Sequence, residues 1–200
     1  MSLHRYIGLV ILLMVPFFTL WYALGALPSA PALWLSQLTL NAALPNVLEA
    51  VTIDNHQLLA LTRFGELDDQ VVSLAEAEYQ LAFPLNTRML SYSVPFYAAL
   101  HFASRLQRPL ERFAWGLFVL WLLMFIGIVA VTLKNLMLGL GELLYTHSTV
   151  PLPPPPAIAL LYQFSTLIVP TLAPVALWAW SVRNTPQGAA LLGRNGAERP

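Results

Sequence analysis

The chain has 200 residues, of which 58% are hydrophobic and only 10% charged, with six Trp, seven Tyr and ten Phe. Ten basic and ten acidic side chains give zero formal net charge, which excludes a nucleic-acid partner held by bulk electrostatics. The absence of Cys excludes disulfides, thiolate metal sites and a cysteine nucleophile.

The apolar residues come in uninterrupted spans. Tyr6–Leu48, Phe113–Leu133 and Leu143–Val182 contain no Asp, Glu, Lys or Arg. Soluble elements carry charge wherever a face is wet, so runs of this length predict an integral membrane protein that is mainly α. The first crossing falls within residues 1–27, as Tyr6–Leu27, with Arg5 before it and Pro28 after it. At 1.5 Å per residue it covers a hydrocarbon core of about 30 Å. It exceeds a signal-peptide core of roughly 7–15 residues, and Pro sits inside the small-x-small site Ala30-Pro31-Ala32. The span therefore reads as a retained anchor.

Residues 28–88 form the soluble-looking insertion and hold seven of the ten acids: Glu49, Asp54, Glu66, Asp68, Asp69, Glu76 and Glu78. Ala30–Leu44 is apolar up to Pro45 and predicts a helix lying in the outer membrane interface, with Trp34 as its anchor. Strand signals follow. Val47, Val51 and Ile53 are expected on one face, with Leu59 and Leu61 lining up after the turn Asp54-Asn55-His56. Gly65–Asp69 is expected as a polar turn. A third strand ends near Phe83, with Tyr79, Leu81 and Phe83 opposite Glu76, Glu78 and Gln80. Three short antiparallel strands of this kind need an apolar cover, because a free hairpin is marginal in water.

Residues 89–182 are expected to hold three further crossings and a proline-rich loop at 150–156. Met89–Ser104 is short, sixteen residues between Arg88 and Arg105, or about 24 Å of helix. Flanking arginines extend such a span by snorkelling. Phe113–Leu133 is the cleanest crossing, predicted to continue as helix to about Tyr145. Ala157–Val182 is the last, with Pro170 and Pro174 expected to kink it. Four crossings place Arg5, Arg105, Arg108, Arg112, Arg183, Arg194 and Arg199 on one side, seven of the ten basic residues. By the positive-inside rule both termini, including a tail at 183–200, are then cytoplasmic.

Each group with chemical potential has a plain structural reading beside it. His101 is the one His inside an expected span, yet it lies four residues from Arg105 and reads as a residue of the cytoplasmic interface. Lys134 ends a span and is expected to snorkel; Glu142, eight residues on, is too far for an ion pair. Glu49, Asp54 and His56 lack metal-ligand spacing, and Glu76 with Glu78 suits an exposed strand edge. Gly139 and Gly141 read as helix-packing points or as a fraying helix end. There is no G-x-S-x-G, H-E-x-x-H or P-loop pattern. No catalytic residue, cofactor, metal or small-molecule substrate is expected.

The most distinctive segment is Phe83–Phe96, where Asn86 precedes a span and Ser91-Tyr92-x-x-Pro95 opens it. Asn86 is expected to cap the helix start and Tyr92 to anchor it at the interface. With Arg88 and Pro95 these residues form the candidate contact for a partner. The same stretch carries a resemblance. The N-terminal span, the Val47–Phe64 hairpin, the Tyr79–Phe83 strand, Asn86, Ser91-Tyr92-x-x-Pro95 and a span ending in Leu133-Lys134 resemble the exosortase H-associated small membrane proteins of Gram-negative bacteria. It covers about Tyr6 to Lys134. Thr87 and Ser93-Val94 depart from the family pattern, where Pro often follows the Asn and Gly-Leu often precedes the Pro. The resemblance implies an inner-membrane accessory beside an exosortase, a polytopic membrane enzyme that processes C-terminal sorting signals.

The expectation is thus a four-span bilayer protein with a small β-rich outer insertion, acting as a non-enzymatic accessory or scaffold. The alternative is a subunit of a small transporter or channel, which the scarcity of polar groups within the spans disfavours.

Overall fold

The computed structural model describes residues 3–54 and 57–183, together with positions 185 and 188. Asn55 and His56 of the expected turn, and Arg194 and Arg199 of the expected tail, lie outside the described residues.

Helix α1 (Leu3–Leu24) carries the first apolar run, followed by a 3₁₀ turn at Leu27–Ser29 and helix α2 (Ala30–Ala43). Helix α2 has a packed stripe of Ala32, Leu33, Ser36 and Leu40, while Trp34 stays 67% exposed. It lies against the long helix described below, whose Trp121 indole donates to the Pro28 carbonyl at 2.8 Å near its start, and the loop residue Thr149 donates to the Ala43 carbonyl at 3.0 Å at its end.

The insertion contains four strands, one more than expected: β1 (Leu48–Asp54), β2 (Gln57–Leu67), β3 (Gln70–Ser73) and β4 (Tyr79–Asn86). Strand β2 is central. It pairs antiparallel with β1 through its first half, with β3 through its second, and with β4 along its other edge. Strands β1 and β2 pair across the expected turn, with Val51 opposite Ala60 and Ile53 opposite Leu58. The packed face is different: it carries Leu58, Ala60, Thr62 and Phe64, and Leu59 and Leu61 are only half-buried. Leucine stands at 58, 59 and 61, so alternation alone does not choose a face; the helices covering the sheet do. In β1 an irregular register between Leu48 and Ala50 lets both Leu48 and Val51 pack, and Ile53 ends up 38% exposed.

The turn expected over Gly65–Asp69 shrinks to Asp68-Asp69, both at positive φ (48° and 61°), the backbone a two-residue hairpin of matching twist needs. Gly65 stays in the strand for a steric reason. A Cβ there would strike the Ala77 side chain and the Tyr79 carbonyl, just where the β2–β4 register shifts.

After β4 the chain makes a single turn, α3 (Arg88–Ser91), and then α4 (Ser93–Ala103), so the short expected span is two helical pieces meeting at Tyr92. Helix α5 (Pro109–Leu140) has 32 residues, about 48 Å, more than a hydrocarbon core requires. It does not run on to Tyr145. Gly141 adopts φ +57° and ends it, and α6 (Glu142–His147) starts afresh. An extended stretch at 151–154 leads to α7 (Pro155–Gln163), a π-helical turn at Phe164–Ile168, and α8 (Val169–Val182). The π turn lies directly before Pro170, where the missing N–H and the ring displace the regular ladder, so the expected irregularity takes that form.

Among the described residues, three helical stretches are long and apolar enough to cross a membrane: Leu3–Leu24, Pro109–Leu140 and Pro155–Val182. Two packed cores hold the molecule together. The larger unites α2, the sheet face and the distal half of α5, including Leu44, Leu58, Leu85, Leu136 and Leu140. The smaller joins Tyr6 and Val10 of α1 to Ala99, Leu100 and Ala103 of α4, with Trp178 of α8 against it.

Candidate partner-docking segment

Strand β4 delivers the Phe83–Phe96 segment to the junction of the two cores. Phe83 lies against α5 at Gly139, where a Cβ would drive into its ring, so Gly139 is the packing point and Gly141 the helix end. The Asn86 side chain then accepts the Arg88 backbone N–H at 3.0 Å, an Asx-type turn bond; the cap position of α3 itself falls one residue later than expected, on Thr87. Asn86 itself is exposed. The Arg88 guanidinium does not point away from the bundle; it sits 4.7 Å over the Tyr22 ring of α1. Beside it, the Trp21 indole donates to the Ser91 hydroxyl at 3.1 Å. Two side chains of α1 thus grip the turn that opens α3 and α4.

Tyr92 is half-buried at the α3–α4 junction, and the Ser93 hydroxyl donates to the Leu90 carbonyl at 2.9 Å to close that turn. Pro95 is buried and lines a cleft of about 260 Å³ between α1, α4 and α5, with Phe17, Trp21, Phe113 and Trp121. Of the four candidate contact residues, Asn86 is exposed, Arg88 and Tyr92 are half-buried, and Pro95 is reached only through that cleft.

A family model described as exosortase H-associated membrane protein matches residues 1–185. The chain belongs to that family. No curated protein and no solved structure matches it. The match runs well past Lys134, so the proline string and the last apolar helix, where the sequence resemblance stopped, fall inside the family's extent.

The remaining candidate groups of this exosortase H-associated chain are held apart. Glu49 accepts from the Gln80 amide, Asp54 ends β1, and His56 lies outside the described residues. Among the described residues no three His, Asp or Glu side chains gather. Glu76 and Glu78 are exposed beyond the sheet. Tyr79, opposite Glu66 across the β2–β4 pair, has its phenol pushed above the usual range, chiefly by hydrogen bonding to the Glu66 carboxylate. The Lys134 ammonium reaches 4.8 Å over the Tyr162 ring, and the ion pair present among the described residues is Arg108–Glu111 at 3.6 Å.

His101 is packed more tightly than its position in the sequence announces. It is fully buried, with Nε2 2.8 Å from the Pro109 carbonyl and Nδ1 3.4 Å from the Tyr97 hydroxyl. A carbonyl only accepts, so Nε2 carries a proton, while the one Tyr97 hydroxyl proton lies 3.4 Å from both Nδ1 and the Arg112 carbonyl. The ring therefore pins the turn between α4 and α5. Tyr97 stacks on Phe113 at 5.5 Å and fills the gap beside Gly116. The i,i+4 spacing of Tyr97 and His101 and the glycine at 116 were the available signals for this knot.

Proposed function

We propose that the chain is a non-enzymatic accessory or scaffold of an exosortase-type sorting system in the bacterial inner membrane. The observation that carries the reading is the family match over residues 1–185, since the family is described by its association with exosortase H. A polytopic exosortase is the partner proposed, and the lipid bilayer the medium of contact. Co-purification in mild detergent tests it: an envelope-processing enzyme in the eluate supports the reading, and reproducible recovery of transport components instead overturns it.

Four crossings with both termini cytoplasmic form part of the proposal. Supporting the fourth is the course of α3 and α4, too short by apolar length alone. The Tyr6 hydroxyl donates to the Leu100 carbonyl at 3.1 Å, and Trp21 reaches Ser91 near the other end. Helix α4 therefore passes antiparallel between the levels that α1 passes, and β4 and the α4–α5 turn lie at opposite ends. Single Cys residues placed in this Cys-free chain should label from outside at Asp68 and Pro154 and stay protected at Gln107 and Asn195. Outside labelling at Gln107 sinks the four-span arrangement. Asn195 lies outside the described residues.

Contact through the Phe83–Phe96 junction completes the reading, because short polar turns and aromatics at span ends make specific contacts between membrane proteins. Asn86→Ala and Tyr92→Ala should each weaken exosortase co-purification while leaving insertion intact. Asn86→Ala removes one exposed side-chain bond to the Arg88 N–H, worth about 1 kcal/mol, too little to unfold the chain. Full partner binding by both variants would leave the segment a capped helix start and nothing more.

A further inference from the structure

A second cleft, of about 440 Å³, opens between the start of α5 and the end of α8, within the roughly 300–1,000 Å³ range of small-molecule sites. Its lining differs in kind from the apolar cleft at Pro95. Arg112 and Arg183 reach it from the two helices, with Trp115, Trp180 and Ser181, and the Tyr97 ring closes its inner wall. Arg112 donates through one Nη to the Ser181 carbonyl at 2.9 Å, which uses one of the five N–H donors of a guanidinium. The Arg183 guanidinium carbon lies 3.5 Å from the centre of the Trp180 ring, a cation–π contact that leaves its N–H donors unspent. Among the described residues no carboxylate lines the cleft, and Glu111, one position before Arg112, is engaged by Arg108.

Depth in the membrane follows from the sequence. The charge-free runs end at Phe113 on α5 and Val182 on α8, immediately beside the two arginines. The cleft mouth therefore lies where hydrocarbon gives way to headgroups, and the exposed indoles of Trp115 and Trp180, each 66% exposed, suit that boundary. Two guanidiniums over apolar walls at that depth match a phosphate with acyl chains attached. Arginine forks recognise phosphate oxygens in pairs, and basic pockets between spans hold anionic headgroups.

We propose that this cleft binds the headgroup of an anionic phospholipid, Arg112 and Arg183 taking its phosphate and Trp115 and Trp180 the glycerol and upper acyl region. This site is independent of the exosortase reading. The test uses the full chain, purified in detergent, with native mass spectrometry and quenching of Trp fluorescence by brominated lipid. Phosphatidylglycerol should be retained over phosphatidylcholine, and Arg183→Gln should lower that preference about five-fold, the effect of one interfacial arginine. Arg112→Gln with Arg183→Gln should abolish it. Because Arg112 also ties α5 to α8, Arg112→Lys with Arg183→Gln and a melting curve in neutral lipid separate lost charge from lost folding. Equal retention of both lipids, or an unchanged preference in folded Arg183→Gln, overturns the proposal. So does displacement of the lipid by millimolar inorganic phosphate, which would assign the cleft to a soluble anion.

Discussion

Leu58→Asp is expected to strip the sheet from the helices while leaving the membrane helices inserted. Leu58 is fully buried on the face of β2 that packs with Leu44, Leu85 and Leu136. Truncation to Ala at such a site costs about 2–5 kcal/mol, and an unpaired buried carboxylate belongs to the class that exceeds it. Leu59→Asp is the control: one residue along, half-buried on the opposite face, it should cost little more than a surface change. Limited proteolysis of the purified protein should therefore cut Leu58→Asp within residues 48–86 and spare Leu59→Asp. Equal protection in both would mean that the face argued for β2 is wrong.

The contrast between those neighbours marks how far the sequence could be read. Absence of charge over Tyr6–Leu48 and Phe113–Leu133 announces apolar helices, because a lipid-facing helix needs nothing subtler than length. The pairing of β1 with β2 was also legible, from a turn flanked by alternating residues. The buried face was not. A strand carrying Leu on both faces states no preference until α2 and α5 cover one of them. Nor was β3 expected. Gln70–Ser73 is four residues long, and its Asp68-Asp69 hairpin lacks the glycine that signals such turns.

The helix breaks were half legible. Pro170 predicts an irregular last span, but a π turn before it is one of several ways to accommodate the missing N–H. Gly141 offered two readings, and its positive φ selects the helix end. At the candidate site, Asn86 bonds the backbone N–H two residues on, as its residue type favours, but the helix cap itself falls on Thr87. Arg88 over Tyr22 and buried Pro95 depend on how α1 packs against the segment, sixty or more residues away in the chain, and no spacing rule reports such contacts. The packing of His101 was hidden for the same reason: proximity to Arg105 in sequence says nothing of the Pro109 carbonyl that the α4–α5 turn folds over the ring.

That turn yields the sharpest steric prediction. In an ordinary helix interior Gly→Ala gains up to about 1 kcal/mol. At Gly116 the sign should reverse, because the new methyl would occupy the place of the Tyr97 ring and hydroxyl. Tyr97 is only 1% exposed and could yield only toward the cleft it borders between α5 and α8. Backing away means leaving its stack on Phe113 and its contact with His101, the pair that closes the α4–α5 turn. Overpacking of this kind costs about 1–3 kcal/mol, which for a chain of this size lowers the melting temperature by about 3–10 °C. Tyr97→Leu should also destabilise, by emptying the space. Combined, the two changes should do less harm than their sum, since the smaller side chain makes room for the methyl, with a coupling of about 1 kcal/mol or more. Thermal unfolding of the four proteins in one detergent measures that cycle. A stabilised Gly116→Ala, or strictly additive losses, would show that the ring does not need the gap beside Gly116 to bring α4 against α5.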